Sequence, residues 1–291
     1  MKPFSHILRL ITLVQKYGMM VNVRRYLCME IAASRWYPAI ARRRSKRRYE
    51  SRLLDTDTLT QLQTVVKEFK PFPETRSVLI SRSPEDIFKG AIGSYGKVKG
   101  APGFIAFIGN TEDPHIHEKI GYLGEGIILE ATALQLGTCW VGGMFRREVA
   151  GRLIQIQRNE KFFAVTPIGY PREGDSFEEK MMKRLIKSHL RKPLNELAMG
   201  MEEAKWAPWI KDALEAARVS PSAVNRQPWR FLIEPDTITL AVDNLKDTFH
   251  ISKRLDCGIA MMHLEVAALN HGRQGRWELL RPPTVARFRV G

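Results

Sequence analysis

The 291-residue sequence has only three cysteines, Cys28, Cys139 and Cys257, and no two of them form a C-x-x-C pair. That spacing excludes a disulfide framework and a dithiol or zinc-ribbon site, and it predicts a reducing, cytoplasmic setting. Long apolar runs are also missing. No stretch approaches the ~20 residues that a membrane helix requires, so no integral membrane segment is expected. The nearest candidate places Phe4, Ile7, Leu8, Ile11 and Val14 at helical spacing, an amphipathic helix of about three turns. Packing against the body is expected for it ahead of weak peripheral contact with acidic lipid. No small-residue cleavage site follows, so it does not read as a signal peptide.

Acidic residues are scarce at the start of the chain. Residues 1–52 hold thirteen Lys or Arg against Glu30 and Glu50, so +11 of the formal +15 lies there and the remaining 239 residues carry only +4. A basic protein of this size could bind nucleic acid, but its positive residues are not interleaved with a series of stacking aromatics, and no recognised binding module is present. A solvated basic segment or a local phosphate site fits the distribution better.

What is present includes an internal repeat. "LEATALQLG" (Leu129 to Gly137) and "LEVAALNHG" (Leu264 to Gly272) share Leu, Glu, Ala, Leu and Gly in register at an offset of 135 residues. Each ends an apolar helical pattern at a glycine suited to a left-handed C-terminal turn. Upstream, Leu59 to Phe69 reads as a helix, "KPFPET" as a loop and "RSVLIS" as a strand. Trp209 to Arg218, "SPSAVNRQP" and "WRFLIE" repeat that series. The period is too long for a solenoid. Two small domains fused head to tail and packed as two subunits would be is the economical picture. Phe104 to Ile108 and Phe162 to Ile168 add buried strands, and the rhythm favours α+β over a doubly wound sheet. The charged stretch Glu178 to Lys192 reads as a helix and connector.

Two polar stretches could carry chemistry. Arg42 to Arg48 sets Ser45 among six cationic side chains. Guanidinium groups bind phosphate in a bidentate fashion, although most such runs are solvated surface. "SPSAVNRQPWRF" (Ser220 to Phe231) puts Ser222, Asn225 and Gln227 on a turn between Pro221 and Pro228. Those groups suit a ligand edge of alternating donors and acceptors, or a turn that caps itself.

Together the two stretches resemble the nitroreductase family of flavoenzymes, whose members carry "RRSxRxF"-like and "PSxxNxQPWxF" segments. Arg43, Arg44, Ser45, Arg47 and Tyr49 match the first; Pro221, Ser222, Asn225, Gln227, Pro228, Trp229 and Phe231 match the second. "LQLGTCWVGGMF", "TPIGYP" and "LRKPLNEL" are similar to further family segments, which extends the resemblance over roughly residues 36 to 280. The resemblance implies an α+β fold, normally a homodimer with FMN in the subunit interface. Arg43, Arg44, Ser45, Arg47 and Arg191 are then expected on the phosphate and ribityl side. Lys97 is expected at the pyrimidine edge of the ring, and Gly142 and Gly143 near N5. Pro221, Ser222, Asn225 and Gln227 would come from across the interface.

The order of segments departs from the usual pattern. The first half has the basic segment but carries "KPFPETRS" in place of the PSxxN turn, whereas the second half has the turn but no RRSxR. That resembles a fused, tandem branch in which one chain makes a pseudo-dimer with one flavin. The expected division is an N-terminal basic amphipathic extension over 1–35, a first nitroreductase-like repeat over 36–177, a connector over 178–200 and a second repeat over 201–291. The chain would act as a monomer, as two half-domains around antiparallel sheets flanked by helices. The implied activity is FMN-dependent reduction of an electron-poor small molecule, such as a nitroaromatic or quinone, with NAD(P)H as co-substrate in ping-pong fashion. Flavin N5 carries the chemistry, and no protein residue is expected to be catalytic. Competing readings are a flavin protein with specialised or no turnover, and a basic protein that binds nucleic acid or a membrane surface.

Weaker signals are set aside. His115 and His117 lack the Cys, Asp or Glu arrangement that would complete a metal site and read as a solvent-facing loop. "GYLGEG" (Gly121 to Gly126) does not have phosphate-loop spacing and reads as helix packing. Cys139 reads as a buried structural thiol.

Overall fold

The computed structural model describes residues 29–82, 85–88, 98–143, 145–174, 190–248 and 250–291. The N-terminal amphipathic segment, Cys28, Lys97 and the charged stretch up to residue 189 lie outside the described residues.

Helix α1 (Ala33–Arg42) is followed by α2 (Thr56–Glu68), strand β1 (Thr75–Ile80), the short α3 (Glu85–Phe88) and β2 (Gly103–Asn110). The long α4 (Ile116–Ala133) leads to β3 (Gly137–Thr138), α5 (Arg147–Leu153) and β4 (Glu160–Gly169). After the one-turn α6 (Leu194–Leu197) and β5 (Ala198–Gly200) come α7 (Pro208–Arg218), β6 (Trp229–Glu234) and β7 (Thr237–Val242). A second long helix, α8 (Lys253–Asn270), precedes β8 (Gly275–Leu279) and β9 (Thr284–Val290). Local chemistry sets several starts. The Asp55 carboxylate accepts the Thr58 N–H at 2.8 Å to cap α2, Ser252 caps α8, and Pro208 opens α7 where its missing N–H costs nothing.

The strands form two sheets, ordered β1-β2-β4-β3 and β5-β6-β7-β9-β8. Apart from β5, which joins β6 in parallel, every pairing is antiparallel. Without β5 the two sheets have the same order and sense, and in each a helix precedes the first strand and a long helix follows the second. The α+β class with antiparallel sheets is therefore the fold.

The two sheets differ on their outer faces. β2 is buried on both sides, because Ile87, Phe88, Phe145, Ala150 and Ile154 cover Phe104, Ala106 and Ile108 in a second core. In β6 only Trp229, Phe231 and Ile233 point inward, and Leu232 and Glu234 face solvent. That alternation is the period-2 signature of a half-buried strand.

The main core is continuous through both halves and centres on α4 and α8, which are buried on nearly all sides. Apolar residues all round a helix suit this position. The helices cross backbone to backbone. A Cβ on Gly121 would lie 2.1 Å from the Leu255 carbonyl oxygen, and one on Gly258 would lie 2.0 Å from that of Glu118. The "GYLGEG" stretch thus serves helix packing. Each long helix also carries a carboxylate from the repeated "LE" pair. Glu130 accepts the Trp36 indole N–H at 2.7 Å and pairs with Arg35, whereas Glu265 accepts the Trp277 indole N–H at 2.7 Å and the Tyr122 hydroxyl.

Two sequence expectations need correction. The left-handed residue after α4 is Gln135 (φ 63°), and Gly137 instead opens β3. Gly272 (φ 68°) does take that position after α8. The two histidines are not in a solvent-facing loop. His115 is the N-cap residue of α4 and contacts Glu118 at 2.8 Å, and His117 packs edge-on against Phe163 within the first turn.

A Gly→Ala change inside a helix ordinarily stabilises by about 0.5–1 kcal/mol. G121A and G258A should reverse that sign and cost about 3 kcal/mol by overpacking, lowering the thermal midpoint by roughly 6–12 °C. G151A, whose Cβ would meet nothing within 4 Å, is the control and should be neutral or stabilising. Thermal unfolding of the three variants checks this.

Candidate functional site

The basic segment leaves α1 at Arg43 and runs beside the strand that leads to Gly142. The Lys46 N–H donates to the Thr138 carbonyl at 2.7 Å, and Ser45 bridges Thr138. On its other side, the Arg47 carbonyl accepts the Lys99 N–H at 2.9 Å and the Lys99 carbonyl accepts the Tyr49 N–H at 3.0 Å. The segment is therefore fixed by backbone ladders on both edges, and its side chains are free to point elsewhere.

Arg43 is 6% exposed, the most buried of this run. Burial depresses its pKa; the Glu125 carboxylate opposes that shift, and the neighbouring Arg44 adds to it. Arg43 Nε lies 3.7 Å from Glu125 Oε1, close enough for attraction but too far for a hydrogen bond. This buried Nε makes no hydrogen bond among the described residues.

From later in the chain, the Arg191 guanidinium donates to Asn225 Oδ1 at 2.8 Å. Its pKa is lowered to about 10 by burial, and further by the positive charges of Arg43, Arg44 and Arg218. Arg191 thus lies within repulsive reach of three other guanidinium groups; Arg218 is paired with Glu215, and Arg43 and Arg44 come from 148 and 147 positions earlier in the chain. Like charges gathered in a partly buried place cost free energy unless an anion offsets them, and the planar forks suit phosphate.

The turn Ser220 to Gln227 holds itself and the 190–192 segment together. Ser222 Oγ accepts the Gln227 N–H at 3.0 Å, Gln227 Oε1 accepts the Lys192 N–H at 2.8 Å, and Asn225 Nδ2 donates to the Leu190 carbonyl at 3.0 Å. Both side-chain amides are engaged with the irregular segment that carries Arg191. Val224, Asn225 and Gln227 all have positive φ (48°, 57° and 48°). A β-branched residue is rare there, and each such residue stores about 1–3 kcal/mol. Asp256 on α8 offsets this strain. Its carboxylate accepts the Ala223 N–H at 3.2 Å and the Arg226 Nε–H at 2.6 Å.

Gly142 closes the constellation. A Cβ there would lie 3.3 Å from the Ile251 side chain, and the Ile251 carbonyl accepts from Arg226 at 3.0 Å. Thus Arg43, Arg44, Arg191 and Asn225 lie together, Gln227 and Ser222 build their turn, and Gly142 is joined to that turn through Ile251. Gly143 is adjacent in sequence; Pro221 lies in the turn, partly buried. Ser45 and Arg47 are placed by their backbones. Sequence reasoning missed Glu125, His263, Asp256 and Arg226. The legible signal was an ionisable residue within an otherwise apolar buried helix, as in "GEGIIL", "MMHLEV" and "LDCGIA". Cys257 is inert, because burial pushes its thiol well up, and Cys139 is buried.

The fold and site define an α+β protein in which Arg43 and Arg44 are brought near Arg191. A sequence model of the family described as "Putative TM nitroreductase" matches residues 35–268, and the chain belongs to that nitroreductase family, a family of oxidoreductases. A crystal structure of a "putative nitroreductase" from Thermotoga maritima is similar over 88% of this chain and 93% of that one, at 19% identity and a TM-score of 0.60; the fold is shared. A nitroreductase with bound FMN from Bacteroides fragilis matches at 16% identity and a TM-score of 0.38, over 49% of this chain and 91% of that one. An FMN-dependent nitroreductase from Clostridium difficile matches at 18% and 0.39, over 47% and 88%. Curated protein sequences give no match. Among the described residues no helix is long and apolar enough to cross a membrane.

Burial pushes the Asp256 carboxyl up to about 6 against the opposing pull of Arg226. The folded state then holds that proton more tightly than the unfolded chain, whose value is 3.8. The group's contribution to stability is therefore greatest below 3.8 and falls as pH rises through about 6. Asp256→Asn should flatten the stability curve between those values. Above pH 6 it should cost about 3–5 kcal/mol, because Arg226 is left buried without its carboxylate. Urea unfolding across that range measures both effects.

Proposed function

We propose that the chain is an FMN-dependent oxidoreductase that holds one flavin between two tandem halves acting as an intrachain pseudo-dimer. The observation that carries this reading is the convergence of Arg43 and Arg44 with Arg191, whose mutual repulsion a phosphate dianion would offset. The matching strand order of the two sheets and the core shared by α4 and α8 support the tandem arrangement.

A single site per chain follows from how the halves have diverged. The first half carries the basic segment, the Gly142–Gly143 turn and a 22-residue excursion between β1 and β2 whose end pairs with Arg47 and Tyr49. The second half joins β6 to β7 through Pro235 and Asp236 alone, but it carries the Ser220 to Gln227 turn. Each half supplies what the other lacks.

The residues fit FMN. Arg43, Arg44 and Arg191 would hold the phosphate, with Ser45 and Arg47 on the same side and Lys97 at the pyrimidine edge. Gly142 and Gly143 would lie near N5 of the ring, with the Ile251 side chain on the side where a Gly142 Cβ would project. Pro221, Ser222, Asn225 and Gln227 form the wall from the second half. Bound FMN supplies two-electron redox chemistry. The protein binds it, orients it and surrounds it with positive charge that favours an anionic ring. No triad of acid, base and nucleophile is needed. NAD(P)H is the proposed reductant, and an electron-poor nitroaromatic or quinone the proposed acceptor, taking turns at one surface. A monomeric, cytoplasmic chain fits the free, buried Cys139 and Cys257.

The purified protein is expected to carry one flavin per chain and to oxidise NAD(P)H steadily with a nitroaromatic or quinone present. R43A and R191A should each weaken FMN binding by about 10- to 100-fold, the worth of a charge-assisted hydrogen bond. Flavin absorbance against protein concentration is the measurement. Two flavins per chain would sink the split site, and undiminished flavin in both variants would sink the assignment of the phosphate side.

A further inference from the structure

Arg43 differs from other arginines of this protein in its relation to its carboxylate. Arg226 meets Asp256 at 2.6 Å, Arg76 meets Glu160 at 2.8 Å, and Arg254 closes on Glu118. Arg43 Nε stops 3.7 Å short of Glu125. The cause is that Glu125 is already occupied. Its Oε2 accepts the Trp140 indole N–H at 2.7 Å, and its Oε1 lies 2.8 Å from His263 Nε2.

His263 is completely buried on α8 and reaches across the helix crossing to α4. Its other nitrogen, Nδ1, lies 2.9 Å from the Ala216 carbonyl oxygen, an acceptor only, so Nδ1 carries a hydrogen, and the contact between Nε2 and Glu125 Oε1 holds a second proton shared by imidazole and carboxylate. Ala216 sits in the last turn of α7, where carbonyls lack intrahelical partners and the helix dipole is negative. Four residues later the chain enters the Ser220 to Gln227 turn. One imidazole therefore touches the support of both sides of the proposed site. Through Glu125 it bears on Arg43 and Trp140, and through Ala216 on the helix that feeds the turn.

We infer that His263 is a positioning residue for the proposed phosphate side of the flavin site: by occupying Glu125 it keeps Arg43 from closing on that carboxylate and leaves the guanidinium available to an anion. The inference rests on the flavin reading above. It assigns to Glu125 a restraining role, since this carboxylate competes with the phosphate for Arg43 whenever His263 releases it.

The test uses the full-length chain, freed of flavin, and compares FMN with riboflavin, which lacks the phosphate. Binding is read from quenching of flavin fluorescence. His263→Leu should raise the Kd for FMN by about tenfold or more and leave riboflavin binding unchanged, because Arg43 then pairs fully with Glu125. Glu125→Gln keeps an acceptor for Trp140 but offers Arg43 no charge, so FMN binding should be kept or tightened. The double variant E125Q/H263L should recover the FMN affinity that H263L loses. Equal weakening of both flavins by H263L would mark a merely structural role and overturn the inference, as would a double variant that stays as weak as H263L. Should H263L not fold, E125Q decides: selective loss of FMN binding overturns the inference, and retained or tighter binding upholds it. A wild type that binds neither flavin overturns both this inference and the proposed function, whereas one that binds FMN alongside an unaltered H263L overturns this inference alone.

Discussion

The backbone crossing of α4 and α8 at Gly121 and Gly258 is the constraint on which the remaining architecture depends. With no side chain between them, two buried helices bring polar groups within direct reach across the crossing. Glu118 meets Arg254, and Glu125 meets His263. A wider separation would break both of these pairings in a low-dielectric core, at a cost of several kcal/mol. Close approach and charge pairing therefore require one another. The same crossing joins the two sheets into one core and fixes where the first half's basic segment lies relative to the second half's turn.

Around that crossing the site gathers backbone strain, which Asp256 offsets, and like charges. Three positive-φ residues lie in one turn, a β-branched valine among them, and three guanidinium groups share one neighbourhood. Stable folds seldom hold such features without use. Asp256 and Gln227 hold the turn's backbone, and the ladders around Lys46 and Tyr49 hold the basic segment. The rigidity is local to the frame. The positive charge of Arg43, Arg44 and Arg191 is gathered where the phosphate is proposed to bind.

The two halves share a framework and differ in what is laid on it. Both retain the antiparallel order and the buried carboxylate that grips a tryptophan, Glu130 with Trp36 and Glu265 with Trp277. These features belong to the core, where a change leaves a buried polar group unsatisfied. The excursion over β2 and its second core survive only in the first half, and the Ser220 to Gln227 turn only in the second. In the second half, with no such cover, β6 and its neighbours turn charged and polar residues outward.

Most of the fold was legible because its signals are local. Alternation marks β6 and a continuous apolar run marks β2. The repeated LE-x-x-A-L pattern marks α4 and α8, Arg43 and the proline-framed turn stand out by residue type, and Arg191 comes only from the resemblance of its segment to the family. Where local rules competed with tertiary context, sequence reading failed. Gln135 rather than Gly137 takes the left-handed position because Gly137 is needed as the first residue of β3. His115 and His117 are drawn into the first turn of a buried helix by Glu118 and Phe163. The sequence by itself determined the element types, the duplication and the residue chemistry of the basic segment and the turn, since each depends on neighbours in the chain. Only the tertiary structure decided that Arg43 stops 3.7 Å from Glu125, that His263 meets the same carboxylate and that Asp256 anchors the turn. Those relations join residues up to 140 positions apart, and distance in space leaves no periodic trace in sequence.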